Sequence, residues 1–435
     1  MILSGWGNYP RVAVRQIEAH DAASASAAIS AHASLIPRGN GRAYGDAALN
    51  LHATLSMLPS RRILVFDAEA GRITCEAGLL LSELLDVIVP AGWFVPVTPG
   101  TKFVTIGGMV ATDVHGKNHH RAGSFGDHVE ALSIALADGG VVHCSPAENA
   151  DLLAATRGGM GLTGAILTVT FRLIPMRTGF IRQETRRAAN LREAMALFED
   201  ASGWTYSVAW IDCLARGATL GRSLLYLGEH AEPDELPAGS TVAPRRATRR
   251  VPVDFPGFAL NRWSVTAFNA LYYRRGRPGQ SIVDYDRYFY PLDALLEWNR
   301  IYGRAGFLQY QCVLPKAASA AGLTAILDRV ARAGAGSFLA VLKLFGAQDG
   351  LLSFPMEGYT LALDFPATTA IFGLLLELDA VVADHGGRLY LAKDARTSAG
   401  MLRRFYPRLA EFQALRSRFD PAGRFSSLQS ERLGL

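Results

Sequence analysis

Pro37-Arg38-Gly39-Asn40-Gly41-Arg42-Ala43-Tyr44-Gly45-Asp46 is the stretch on which the reading of this 435-residue chain turns. Closely spaced glycines leave backbone N–H groups unshielded and let several of them point at one anion, as a pyrophosphate requires. A dinucleotide-binding βαβ unit would need G-x-G-x-x-G directly after a strand and opening a helix. Here Gly39, Gly41 and Gly45 are spaced G-x-G-x-x-x-G, and no apolar-periodic helix follows Gly45-Asp46. The loop therefore reads either as an ordinary tight turn or as a phosphate cradle outside the nicotinamide-binding folds.

Two further segments carry concentrated chemistry. Thr98-Pro99-Gly100-Thr101 and Thr105-Ile106-Gly107-Gly108 lead into Thr112-Asp113-Val114-His115-Gly116-Lys117-Asn118-His119-His120. The histidines raise the possibility of a metal, but a third ligand at a usable spacing is missing and Lys117 would repel a cation. No metal site is expected; the cluster reads as a cationic, hydrogen-bonding wall beside a bound cofactor. The third segment, Gly386 to Arg396, reads as a strand ending in Lys393. Of 44 basic residues only five are lysines, at 102, 117, 316, 343 and 393. A chain that uses arginine almost everywhere keeps an ammonium where a compact, pKa-tunable cation is needed. Lys393 is thereby marked as functional, against the plainer reading of a surface lysine.

Working outward, 49% hydrophobic residues supply a large core, and 19% charged residues with a net charge of +5 exclude a disordered or fibrous chain. Four cysteines without a C-x-x-C pair read as small buried hydrophobes. The first residues lack a basic segment followed by an apolar block, so no signal peptide is expected. The most apolar stretches, 79–97 and 371–383, are interrupted by Glu83 with Asp86 and by Glu377 with Asp379. Neither has the roughly 18 uninterrupted apolar residues of a membrane span. The expectation is a cytoplasmic or peripherally membrane-associated protein. Up to about residue 175 short strands alternate with glycine turns: a hairpin of 63–66 with 72–76, a helix over 80–89, and strands over 129–137 and 165–174. Beyond 180, strands are read at 307–314, 338–345, 359–365 and 388–392, and helices at 317–333 and 368–385. The polar, proline-rich stretch 230–252 reads as a long mobile loop.

Together these segments resemble the vanillyl-alcohol-oxidase type of FAD-binding fold. The resemblance rests on the 37–46 loop, the 98–129 block with its Gly123-Ser124-Phe125-Gly126-Asp127-His128-Val129, and the 135–171 run ending Arg157-Gly158-Gly159-Met160-Gly161-Leu162 onward. Tyr290-Pro291-Leu292-Asp293, Trp298-Asn299-Arg300, Phe307-Leu308-Gln309-Tyr310-Gln311, Lys343-Leu344-Phe345-Gly346, Leu352-Ser353-Phe354-Pro355 and the closing Asp420-Pro421-Ala422-Gly423-Arg424-Phe425 narrow it. They resemble the family of decaprenylphosphoryl-β-D-ribose 2′-oxidases, the flavin half of the epimerase pair that makes the arabinose donor of the cell wall. The resemblance implies an α+β, two-domain FAD-binding fold with an antiparallel-sheet substrate domain. It implies an FAD domain over 1–178, a substrate domain over 179–387 and a return to the FAD domain over 388–435.

The same resemblance implies roles. Pro37, Arg38, Gly39, Asn40, Gly41, Arg42, Ala43, Tyr44, Gly45 and Asp46 would hold FAD, with Gly100, Thr105, Ile106, Gly107, Gly108, Thr112, Asp113, Val114, His115, Ile166 and Tyr390 completing the cleft. Covalently flavinylated relatives place a histidine where Arg42 stands, so the flavin is expected to be non-covalent. Tyr44, Lys117, Gln309, Gln311, Lys343 and Ala362 would meet the substrate, a polyprenyl-phosphate-linked ribose. Lys393 is the expected catalytic group, supported by His115. Ala362 replaces a cysteine that captures nitroaromatic inhibitors in mycobacterial members, which implies turnover without such capture. Phe289 stands where tyrosine is common. A short-chain NADH-dependent keto-reductase is the expected pathway partner. The basic, aromatic region 245–277, with Phe255, Phe258, Trp263, Phe268, Tyr272 and Tyr273, reads either as a lid at a membrane surface or as a solvated loop with a core helix. Nucleic acid is not expected, since no nucleic-acid fold signature accompanies it. Within the fold the alternative activity is oxidation of a free aldonolactone or alditol; outside it, a flavin-free binding protein.

Overall fold

Ile63–Asp67 and Arg72–Glu76 pair antiparallel across a turn in which Gly71 takes a φ of 63°, a conformation that disfavours a side chain. This hairpin is the edge of a five-stranded antiparallel sheet. Its order continues through Ala165–Arg172 and Val129–Ala135 to Val141–Cys144. Leu81–Ile88, Ile106–Ala111 and Ala150–Thr156 bury their apolar faces in the same core, with Ile73, Val169 and Phe171 of the sheet. The computed structural model describes residues 1–237, 243, 246–256 and 261–435. A small parallel sheet of Gln16–Glu18, Thr54–Ser56 and Ile36–Arg38 stands beside it and launches the glycine loop.

The second sheet is eight-stranded and wholly antiparallel. Its order is Gly279–Asp284, Phe180–Ala188, Ser223–His230, Tyr206–Ile211, Val341–Phe345, Gly358–Pro366, Phe307–Pro315 and Arg388–Leu389. Leu191–Asp200, Lys316–Ala333 and Thr369–Asp384 cover one face with apolar side chains. The opposite face is left for the site. The chain is thus an α+β protein of two sheet-based layers, and its end returns to its beginning. Phe425 bridges in parallel to Leu35, and Leu428 N–H donates to the Leu49 carbonyl at 2.9 Å.

Three expectations are corrected. The 388–392 strand stops at Leu389, because Lys393 N–H and Asp394 N–H turn back onto the carbonyls of Tyr390 and Leu391 at 2.9 and 3.1 Å. Lys393 therefore sits in a turn beyond the sheet. The described ends of the 230–252 stretch are anchored: Arg182 pairs with Glu235 at 2.9 Å, and Arg249–Arg250 forms a short parallel strand with Leu295–Leu296. Among the described residues of 245–277 there is no core helix. Arg262–Arg275 is a surface helix that buries only Val265 and Asn269. Arg245 and Phe258, named in that reading, lie outside the described residues.

Candidate active site

Directly after the Ile36–Arg38 strand the backbone stops bonding to itself. Among the described residues, no N–H from 39 to 43 donates to an acceptor of the chain. Gly41 takes a φ of 61°, and a Cβ on Gly45 would lie 2.1 Å from the Asp394 carbonyl oxygen. Substitution at either would push the loop off its path. Neighbouring side chains brace it. Asn40 Nδ2 donates to the Phe103 carbonyl at 2.7 Å, Arg38 donates to the Ser4 and Ala48 carbonyls, and the Arg42 guanidinium lies 3.9 Å over the Trp6 ring. Across the cleft the Thr105 hydroxyl caps the Gly108 N–H at 3.2 Å, opening the Ile106–Ala111 helix.

The free face of the eight-stranded sheet forms the opposite wall. Period-2 alternation sends Gln309 and Gln311, then Thr360, Ala362 and Asp364, then Val341 and Lys343, toward one cavity of about 720 Å³. Gln309 lies opposite Asp364 and Gln311 opposite Ala362. The volume sits in the upper part of the roughly 300–1,000 Å³ range of small-molecule sites. Trp210, Tyr226, Phe338, Phe268 and Tyr272 continue the lining to the Arg262–Arg275 helix.

Three of the five lysines converge here. Lys393 Nζ rests 3.7 Å over the Tyr44 ring. Lys117 donates to the Tyr288 carbonyl, with its ammonium 4.1 Å over the Tyr288 ring. Lys343 projects from the Val341–Phe345 strand into the same space. Among the described residues, lysine ion pairs are made by Lys102, with Asp286, and Lys316, with Glu199, and both of these stand away from the cavity lining. Burial alone pushes Lys343 down to about 8; burial with the neighbouring Lys343 charge takes Lys117 to about 7. Lys393 falls to about 7 through burial, partly offset by Asp364. His115 is held well below the usual histidine range by burial and by Lys343. As a neutral ring it accepts from Gln311 Nε2 at 3.0 Å, and its Nδ1 is buried with no partner.

Most of the residues expected at the site line this one cavity, including Pro37 to Gly45, Gly100, Thr105, Gly107, Gly108, Thr112, Val114, His115, Ile166 and Tyr390. Three do not. Ile106 is buried in the hydrophobic core. Asp113, at a φ of 41°, accepts from Ser124 Oγ at 2.6 Å, from Gly126 N–H at 3.0 Å and from Ser353 Oγ, and so fastens the 124–126 turn. Asp46 pairs with Arg432 at 2.8 Å. Lys102 pairs with Asp286, away from the cavity. His119 and His120 turn away, onto Gln348 and the Trp204 carbonyl.

The sequence reading missed two lining carboxylates, Asp293 and Asp364. The signal for Asp364 was present: in Tyr359-Thr360-Leu361-Ala362-Leu363-Asp364-Phe365, positions 360, 362 and 364 are the non-bulky, partly polar half of a period-2 pattern.

The arrangement fits FAD. A row of unpaired N–H groups at 39–43 suits a pyrophosphate, and Met57, Ala77, Val104, Met160 and Ile166 give the apolar slot a flat ring system needs. Comparison with known proteins agrees. A family model described as FAD binding domain matches residues 11–145, and one described as D-arabinono-1,4-lactone oxidase matches 366–433. The chain is 38% identical to a decaprenylphosphoryl-beta-D-ribose oxidase of Mycolicibacterium smegmatis, over 100% of this chain and 97% of the relative. It is 37% identical, over 82% of this chain and the whole relative, to an uncharacterized protein of Streptomyces coelicolor. It is 33% identical to an L-gulonolactone oxidase of Mus musculus, but over only 36% of this chain and 35% of the relative.

Proposed function

From the premise that the chain belongs to the decaprenylphosphoryl-β-D-ribose oxidase family of FAD-dependent oxidoreductases, we propose that it oxidises the 2′-hydroxyl of a polyprenylphosphoryl-β-D-ribose to the 2′-keto sugar. The observation that carries this is the convergence of Lys117, Lys343 and Lys393, none ion-paired to a carboxylate among the described residues, in one cavity with Gln309, Gln311 and His115. Lys117 and Lys343, desolvated with no carboxylate acting on them, favour an anionic substrate. When bound, FAD supplies the hydride acceptor, N5. Lys393, as a neutral amine, takes the proton of the 2′-hydroxyl, and the neutral His115 ring holds the sugar with Gln311. Lys117 and Lys343 bind phosphate and ribose oxygens. Arg42, stacked on Trp6, carries no nucleophile toward the flavin, so FAD is held non-covalently and acid precipitation should release it.

The test is anaerobic flavin reduction. Farnesylphosphoryl-ribose should bleach the flavin, and free ribose and aldonolactones should not; bleaching by an aldonolactone alone would overturn the assignment. A free-sugar oxidase is the weaker reading, since the likeness to a lactone oxidase covers about a third of the chain. The keto sugar requires a consuming step, reduction from the opposite face, which suits a short-chain NADH-dependent keto-reductase. The division into 1–178, 179–387 and 388–435 belongs to the same proposal.

Peripheral membrane contact is part of it as well. No described helix is long and apolar enough to cross a membrane. The Arg262–Arg275 helix instead turns Phe268 and Tyr272 toward the cavity and presents Trp263 (78% exposed) and Leu271 (49%) outward, among Arg262, Arg274 and Arg275. Such a face suits an anionic bilayer. Replacing Trp263 and Leu271 by serine should weaken binding to phosphatidylglycerol-containing vesicles by roughly tenfold or more, from the apolar area lost. Unchanged binding would remove the helix from membrane contact.

A further inference from the structure

Asp364 is a charged group of this cavity that the chemistry above leaves unused. It projects from the Gly358–Pro366 strand and is 1% exposed. Gln309 Nε2 donates to its Oδ1 at 2.6 Å, while its Oδ2 is buried with no partner. Among the described residues, no cation lies within ion-pair distance. A carboxylate oxygen left bare in a dry site is costly, and such an orphan calls for an explanation.

The groups facing it identify one. From the turn after Leu389 comes Lys393, whose charge acts on Asp364. From the glycine loop comes Tyr44, whose ring lies under the Lys393 ammonium and whose phenol hydrogen-bonds the Gln309 side chain. The Tyr302 phenol, also buried without a partner, approaches from the Trp298–Tyr302 turn, and Ser337 Oγ accepts the Asp364 N–H at 3.0 Å. Lys393 is the cation of this group, and it also meets the charge of Lys343 from the Val341–Phe345 strand and the His115 ring.

We propose that Asp364 and Lys393 titrate as one electrostatically coupled pair across the cavity, with Asp364 the positioning residue that sets the charge state of the Lys393 amine. The inference rests on the reading of Lys393 as the group that meets the substrate hydroxyl. When the hydroxyl O–H bond breaks and an N–H bond forms on Lys393, the nearby carboxylate holds the resulting ammonium. Burial supports the pairing, since it carries Asp364 up to about 7 and Lys393 down to about 7. Neither group then has a settled charge near neutrality, and the two protons leave in coupled steps. A carboxylate favours the ammonium form of a neighbouring amine, so removing it should lower the lysine's apparent pKa.

With five lysines in the chain, the titration can be read directly. The FAD-loaded protein is labelled with ε-13C lysine, and the Lys393 signal is assigned by its loss in Lys393→Met. In the wild type that signal should titrate in two steps. In Asp364→Asn it should titrate in one, shifted down by roughly 0.5–1 pH unit, and the rising limb of the flavin-reduction rate should move down by the same amount. An unmoved midpoint in Asp364→Asn overturns the proposal. If that variant does not fold, the wild type decides alone, because a single-step Lys393 titration is equally fatal. Wild-type bleaching in Lys393→Met would instead refute the role of Lys393 in the reaction, while the coupling would still be read from the titration.

Discussion

Lys393→Met is expected to yield a yellow, FAD-containing protein whose flavin no longer bleaches with substrate, the rate falling roughly 10²–10⁴-fold, the usual worth of a positioned proton acceptor. Methionine keeps the length of the stem that crosses the Tyr44 ring and discards only the amine. The cradle proposed for the pyrophosphate is the row of backbone N–H groups at 39–43, which this side chain does not complete, so FAD should remain. Stability should not suffer. The folded protein holds Lys393 at about 7, below its ordinary 10.5, so between those values the unfolded chain binds the extra proton. Stability on this account rises with pH across that window and is lowest at and below pH 7, where the buried site must accept the charge. Removing the amine therefore leaves the melting temperature at pH 7 unchanged or higher. Bleaching at the wild-type rate would take Lys393 out of the mechanism.

Arg396→Met should produce the largest loss of stability, about 3–5 kcal/mol, the cost of leaving a buried charge without its partner. Arg396 grips Asp379 with two bonds of 2.7 and 2.6 Å, and the side chains are 8% and 1% exposed. Thr397 Oγ1 adds a third contact at 3.3 Å. Without the guanidinium, Asp379 would protonate or drag water into the helix–sheet core. Asp379→Leu alone should cost a similar amount by stranding the arginine. The double variant should recover most of the loss, since a well-packed apolar pair often replaces a buried ion pair at little cost. Denaturant midpoints of the four proteins close the cycle. A loss below about 1 kcal/mol in Arg396→Met would mean that the pair is solvated and unimportant. The pair matters to the site because the same turn carries Lys393. Asp394 caps that turn, accepting from Arg396 and Thr397 N–H at 3.0 and 2.8 Å, and is joined through Arg432 to Asp46 at the end of the glycine loop.

Asp46 and Asp379 show where reading along the chain stops. Asp46 closes the glycine motif and by the resemblance would hold FAD, yet its partner stands 386 residues away in the last helix. Asp379 registered only as an interruption that excluded a membrane span; its reason is an arginine 17 residues further on, beyond a strand and a turn. The Arg262–Arg275 helix is left open between lid and core by the sequence for a related cause. Mixed aromatic and basic residues without a clear period do not say which face is covered, and here one face roofs a cavity that other segments create.

The sequence alone determined the features that need only a few consecutive residues. Glycine spacing encodes the open loop with its unpaired N–H groups because a backbone loop is shaped by its own φ values and missing side chains. The scarcity of lysine pointed to Lys393 and the resemblance added Lys117 and Lys343; all three line one cavity. Alternation and turn residues located the strands of the first sheet and four of the eight in the second to within a few positions, but not Phe180–Ala188, Tyr206–Ile211, Ser223–His230 or Gly279–Asp284. Tertiary structure alone decided which polar groups meet: Gln309 with Asp364, Arg396 with Asp379, Arg432 with Asp46 and Asp394. Charge and hydrogen-bond pairing act over a few ångströms of space and are indifferent to distance along the chain, so they become legible only once the sheets have set their register and the C-terminal segment has closed onto the glycine loop.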